Sequence, residues 1–235
     1  MGPCGRGWCG VPCDGTGAAC FIDRTECSDQ PMPPNPLPAY TRESCVWYTS
    51  HYCEENTLRL CNHLLSPAEA AGVELYVVFI SNDIRQVPVW CQRLAERQND
   101  PVLWDYHVLL LARHPFGNWI YDLDSTLSFP SQATTYMALA FPRGQVMDQR
   151  FQQVFRVVPA RECSNYFASD RSHMLRRGGV YSAQPPGYAP LRGPLASSSH
   201  NMEEWIRMDP TSGRGRVMAL SEMEEFVRNV PYRYS

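Results

Sequence analysis

Apolar side chains recur at Leu58, Cys61, Leu64 and Leu65, the spacing of one helix face, and predict a helix over residues 53–65 that Pro67 stops. The period then changes. Residues 74–81 form an apolar run of strand length, and residues 86–90 a second. Residues 102–113 predict one long strand, 114–118 a turn, and 119–124 the returning strand. Further on, the pattern predicts a helix over 131–141, a strand over 151–158 and mostly loop over 169–199. Ser221 followed by Glu224 has the form of a capping box, opening a helix through Val227. A helix, then an antiparallel meander, then mixed elements predict an α+β or α/β fold, a mostly antiparallel sheet flanked by helices.

The first 40 residues break this picture. They are rich in Gly, Pro and Cys and show no apolar periodicity. Residues 1–40 are therefore expected to be a disordered extension, and residues 41–235 a single catalytic domain. Cys4, Cys9, Cys13, Cys20 and Cys27 invite a zinc reading, but their spacing is irregular, with no C-x-x-C pair and no nearby His.

Composition narrows the chemistry by exclusion. The formal net charge of −3 offers no electrostatic argument for nucleic acid or an anionic membrane. Every basic residue is Arg, so no Lys can act as base, Schiff-base former or phosphate anchor. No apolar run approaches membrane-spanning length, and the N-terminus lacks an apolar signal region. Met1-Gly2 resembles a myristoylation start, but Arg6 stands where Ser or Thr is wanted. The expected location is cytoplasmic, with the nucleus as a second site, and there cysteines stay reduced.

The candidate chemistry starts at Cys53. It opens the predicted helix, where unpaired N–H groups and the positive dipole end favour a thiolate. Cys61, Cys91 and Cys163 read instead as small buried side chains. His107 lies in the long strand. With the turn centred on Pro115-Phe116, Asp124 pairs opposite His107 and Asp122 is its diagonal neighbour on the same face, within side-chain reach. The hairpin thus delivers a carboxylate to one ring nitrogen and leaves the other free to face a thiol, without deciding between the two acids. Asp105, Trp104 and Trp119 read as structural, and His173 as a loop anchor with a substrate-side role as the alternative.

The segments Cys53-Glu54-Glu55-Asn56, Trp104-Asp105-Tyr106-His107, Tyr121-Asp122-Leu123-Asp124 and the run from Phe167 to Met174 closely resemble the protein N-terminal glutamine amidohydrolase family. The resemblance spans about residues 45–226. It implies a three-layer α/β/α sandwich with a core like those of papain and the transglutaminases. It also implies a catalytic triad of Cys53, His107 and Asp122, which settles the choice of acid. Two loops depart from the family pattern. Residues 45–52 run one residue longer around Trp47-Tyr48, and residues 183–201 follow it poorly.

The implied reaction is hydrolysis of the side-chain amide of an N-terminal Gln through a Cys53 thioester, giving N-terminal Glu and ammonia for the N-degron pathway. It needs no metal or organic cofactor. The expected partners are proteins or peptides that begin with Gln, with no nucleic acid and no membrane, and the enzyme is expected to be a monomer. The alternatives are a papain- or transglutaminase-like acyl transferase or peptidase with the same triad, and a non-catalytic module that binds N-terminal Gln. A metal site on Cys53, His107 and His173 lacks the short spacings of zinc sites.

Overall fold

The computed structural model describes residues 9–12, 19–22, 35–145 and 148–229. In the N-terminal segment, β1 (Cys9–Pro12) and β2 (Ala19–Ile22) pair antiparallel, which the missing periodicity did not predict. The zinc reading of the early cysteines falls outside the described residues. Packed contacts begin within the segment read as extension: Leu37 is buried in the core, and Asn35 donates to the Tyr121 hydroxyl at 2.7 Å.

The main sheet has six strands in the order β10-β9-β3-β6-β7-β8, every neighbour antiparallel. Its centre is β3 (Glu74–Ser81) between β6 (His107–His114) and β9 (Val154–Pro159). Beside β6 lie β7 (Gly117–Tyr121) and β8 (Ser131–Gln132), and β10 (Arg216–Ala219) closes the other edge. Period-two alternation sorts the side chains. Val77, Phe79, Val108 and Leu110 meet α1 (Cys53–Ala71), α3 (Ala160–Tyr166) and α4 (Met202–Ile206) on one face. Val78, Ile80, Leu109 and Leu111 meet α2 (Ala133–Ala140) and α5 (Leu220–Arg228) on the other. The protein is thus a mixed α/β fold, an antiparallel sheet with helices on both faces.

Four predicted elements change. Pro67 lies inside α1, which runs on to Ala71. Its final turn is held by buried Ala68, whose carbonyl accepts the Val73 N–H at 2.8 Å, and by Gly72 in the left-handed region at φ 69°. The predicted strand over 102–113 is two strands. β5 (Val102–Trp104) pairs with β4 (Val87–Val89) in a separate sheet, and β6 starts only at His107. The break is local chemistry: Asp105 Oδ1 accepts the Tyr106 N–H at 2.9 Å, and the Asp105 carbonyl accepts the Ser81 hydroxyl at 2.8 Å. Strand β9 begins at Val154, behind a 3₁₀ turn over Gln149–Phe151. Helix α5 opens at Leu220, where Glu222 Oε2 accepts the Ala219 N–H at 2.9 Å. Only that half of a capping box forms, since an Ala side chain has no acceptor.

Candidate active site

The hairpin register is the one the turn requires. His114 pairs with Gly117 and Leu110 with Tyr121, so the ladder extrapolates to Asp124 opposite His107. But β7 ends at Tyr121, and Asp122 turns the chain by accepting the Asp124 N–H on Oδ1 at 3.0 Å. The turn brings Asp122 Oδ1 to 3.1 Å from His107 Nε2. Its other oxygen accepts Gln92 Nε2 at 3.0 Å and the Tyr136 hydroxyl at 2.6 Å. Asp124 instead accepts the hydroxyl of Tyr48, from the loop expected to be long, at 2.6 Å. His107 is fully buried, and Trp104 stacks on its ring at 4.9 Å between centroids. Its Nδ1 has no protein hydrogen-bond partner among the described residues.

Cys53 is the first residue of α1. One turn on, on the same helix face, Thr57 donates its hydroxyl to the Val108 carbonyl at 3.0 Å. The Val108 N–H lies near enough to the Cys53 sulfur to ease its ionisation, so the nucleophile candidate packs beside the residue that follows His107. Asn56 clamps the preceding loop, accepting the Thr49 N–H at 2.9 Å and donating to the Thr49 carbonyl at 2.7 Å. The loop thereby turns into the helix through His51 at φ 69°, leaving the first-turn N–H of Cys53 without an intrahelical acceptor. A cleft of about 550 Å³ opens over the sulfur, walled by Trp104, Asp105, Tyr106, Leu103 and His51.

This arrangement sits inside the part of the chain that known proteins share. The profile of the N-terminal glutamine amidase family matches residues 48–227. The protein N-terminal glutamine amidohydrolase of Homo sapiens is 41% identical over 182 residues, covering 77% of this chain and 87% of its own length. The zebrafish protein of that name, from Danio rerio, is 40% identical over 179 residues, 76% and 87% of the two lengths. The one from Arabidopsis thaliana is 40% identical over 168 residues, 68% and 75%. The chain belongs to the N-terminal glutamine amidase family.

In this amidase-family chain two buried carboxylates, Asp122 beside His107 and Glu54 beside the Cys53 sulfur, stand in opposite states. Burial would raise Asp122, but the charge and contact of His107, with Tyr136 and Gln92, bring it down to about 2. Glu54 is pushed up to about 8, by burial first. Its Oε2 faces the Tyr106 hydroxyl at 3.2 Å and the Cys53 sulfur at 3.7 Å, and Oε1 has no hydrogen-bond partner. His173 belongs to this side, with Nε2 3.1 Å from the Tyr106 hydroxyl and 3.6 Å from Glu54 Oε1. Burial lowers the His107 ring, but the Asp122 charge and contact, with the Asp124 charge, outweigh it and raise its pKa.

The thiol departs from the expectation set by the helix start. Burial, then the charges of Glu54, Asp124 and Asp105, push the Cys53 thiol up rather than down. The thiol is thus a weakened acid, while the imidazole one residue before Val108 is a strengthened base. The nitrogen and oxygen atoms of His107, Asp122 and Asp124 lie within 4.8 Å of one another, close enough to ligate an ion. Three protein donors and the imidazole already occupy the oxygens of Asp122.

Other readings change as well. Trp104 is buried yet forms cleft wall and ring support together, whereas Trp119 is core as expected. Cys61 and Cys163 are buried, but Cys91 is half-buried, in the left-handed region at φ 55°. Gln92 and Tyr136, which fix Asp122, went unread. The only signal was a hydroxyl in the otherwise apolar stretch Tyr136-Met137-Ala138-Leu139-Ala140. Arg171 donates to both oxygens of Glu55, from Nε at 2.7 Å and Nη2 at 2.8 Å, and this bidentate pair ties the start of α1 to the segment that carries His173.

Proposed function

We propose that this protein hydrolyses the side-chain amide of an N-terminal Gln in proteins and peptides, releasing ammonia and leaving N-terminal Glu. What carries the reading is a Cys53 sulfur at the base of a cleft, packed beside a buried His107–Asp122 pair, in a chain whose relatives bear that activity in their names. A cysteine at a helix start with His and acid on antiparallel strands is also the arrangement of papain- and transglutaminase-like cores, and we place the fold with them.

The steps follow from these groups. As the sulfur attacks the δ-carbonyl carbon, the Cys53 proton passes to His107, and negative charge grows on the amide oxygen. The Cys53 N–H and a donor from the Thr49–Tyr52 loop stabilise that oxygen. His107 returns the proton to the departing nitrogen, the C–N bond breaks, and ammonia leaves a thioester. His107 next takes a proton from water. The resulting hydroxide adds to the thioester, the C–S bond breaks, and the proton goes back to sulfur as the γ-carboxylate forms. Asp122 holds the imidazole orientation and stabilises its charged form throughout.

Residues 41–235, with the packed segment from Asn35, act as one catalytic domain and work as a monomer in the cytoplasm. There the new N-terminal Glu becomes a substrate for arginylation in the N-degron pathway. The test is incubation with a Gln-initiated peptide. Release of ammonia with a mass gain of about one dalton is the expected result. Peptide-bond cleavage instead, or equal ammonia release from internal Gln, would replace this reading with the peptidase or transglutaminase-like one.

A further inference from the structure

Resting on that reading, we infer that Asp105 is the acceptor for the substrate's free α-ammonium, and so the residue that restricts the enzyme to N-terminal Gln. In Gln the ammonium and the reacting carbonyl are a few bonds apart, so a site that seats the carbonyl at Cys53 must deal with a cation in the same cleft. An unpaired charge there would be costly.

Asp105 is the single acidic side chain among the described residues lining the cleft that reaches Cys53. It is exposed, and no Arg or His lies within ion-pair distance of its carboxylate among the described residues. Arg85, the cleft's own arginine, is paired with Glu203. The carboxylate is also held in place. It occupies the break between β5 and β6, with Oδ1 accepting the Tyr106 N–H at 2.9 Å and the residue's carbonyl fixed by Ser81. No hydrogen bond to Oδ2 forms among the described residues, and the residue is exposed. Glu54, the other nearby acid, is sealed behind Tyr106, fully buried and not part of the cleft wall.

The placement has a chemical consequence. The Asp105 charge is one of those that keep the Cys53 thiol protonated. A bound ammonium offsets that charge, so a substrate with a free amine eases loss of the thiol proton, and an acylated or internal Gln does not.

The test compares two peptides of one sequence. One begins with Gln; the other begins with its desamino analogue, which has hydrogen in place of the ammonium and keeps the amide. Wild type should favour Gln by roughly 10- to 100-fold in kcat/KM, the range for a hydrogen bond to a charged group. Asp105→Asn, which retains the acceptor for the Tyr106 N–H, should lose that preference. Its KM for the Gln peptide should rise, while its rate on the desamino peptide should not fall below wild type, because loss of the Asp105 charge eases loss of the thiol proton. Asp105→Glu should keep part of the preference. If Asp105→Asn slows both peptides equally and retains the ratio, the amine is bound elsewhere and the assignment fails. A wild type that does not distinguish the peptides overturns it as well. Absence of ammonia from both peptides with wild type would overturn the underlying deamidation reading instead.

Discussion

Asp122 and Glu54 are both buried, one beside the His107 ring and the other beside the Cys53 sulfur, and differ in charge. Asp122 sits where the β6–β7 hairpin ends and collects the Asp124 N–H, Gln92, the Tyr136 hydroxyl and His107, so it is ionised far below neutrality. Glu54 sits in the first turn of α1 and receives a phenol and a thiol, with Glu55 beside it adding a like charge. Its carboxyl keeps a proton at neutral pH. Burial is common to both, so the donors set the charge. The hairpin side therefore supplies a fixed negative charge for the imidazole, and the helix side a carboxyl that is neutral below about 8 and, once ionised, holds the thiol proton.

The largest effect is expected at Cys53. Cys53→Ala should abolish ammonia release from a Gln peptide while the melting temperature stays near wild type, and substantial turnover in the purified variant would rule out a Cys53 nucleophile. Next is the ionised carboxylate. Asp122→Asn should lower kcat by a factor on the order of 10⁴, the scale for loss of a triad acid. Asp124→Asn should cost far less, because Asp124 meets Tyr48 and not the ring. Steady-state kinetics showing the opposite ranking would shift the essential contact to Asp124.

The helix side should respond in stability. Glu55→Gln breaks a buried pair and leaves the Arg171 guanidinium, 6% exposed, without its counter-charge. A loss of about 3–5 kcal/mol is expected in urea unfolding. Glu54→Gln replaces a neutral carboxyl by a neutral amide, so its effect should depend on pH. A carboxyl held at about 8 has its full stabilising contribution below the unfolded value of 4.5 and loses it as pH rises through 8. The variant should therefore gain on wild type between those limits, by roughly 1.4 kcal/mol for each unit of pKa difference at most. Asp122 runs the other way. Held at about 2, it contributes fully above its ordinary value of 3.8, and the contribution disappears as pH falls through 2. Thermal melts of wild type, Glu54→Gln and Asp122→Asn across this range check both signs. Parallel curves for all three would mean the two carboxylates do not differ in charge.

What could be read beforehand was what near neighbours in the chain determine. The apolar run over residues 74–81 and the strand read over 102–113 gave an antiparallel sheet, and the short turn at Pro115-Phe116 fixed which residues of the hairpin face each other. It also brought both candidate acids to His107. Helix α1 was recognisable from its apolar face, but its end was not, because tertiary packing of Ala68 outweighs Pro67.

By itself, the sequence determined the register of the hairpin that carries His107, since a ladder register is a count of residues around a turn. The family resemblance pointed to Asp122, but only the tertiary structure decided how it, and not Asp124, meets the ring, that Glu54 is neutral, and that Asp105 interrupts a strand to stand in a cleft. Each depends on a partner brought from elsewhere in the chain: Gln92 and Tyr136 to Asp122, Tyr106 to Glu54, Ser81 to Asp105. A carboxylate's charge and direction are set by the donors around it, and the fold brings those donors there.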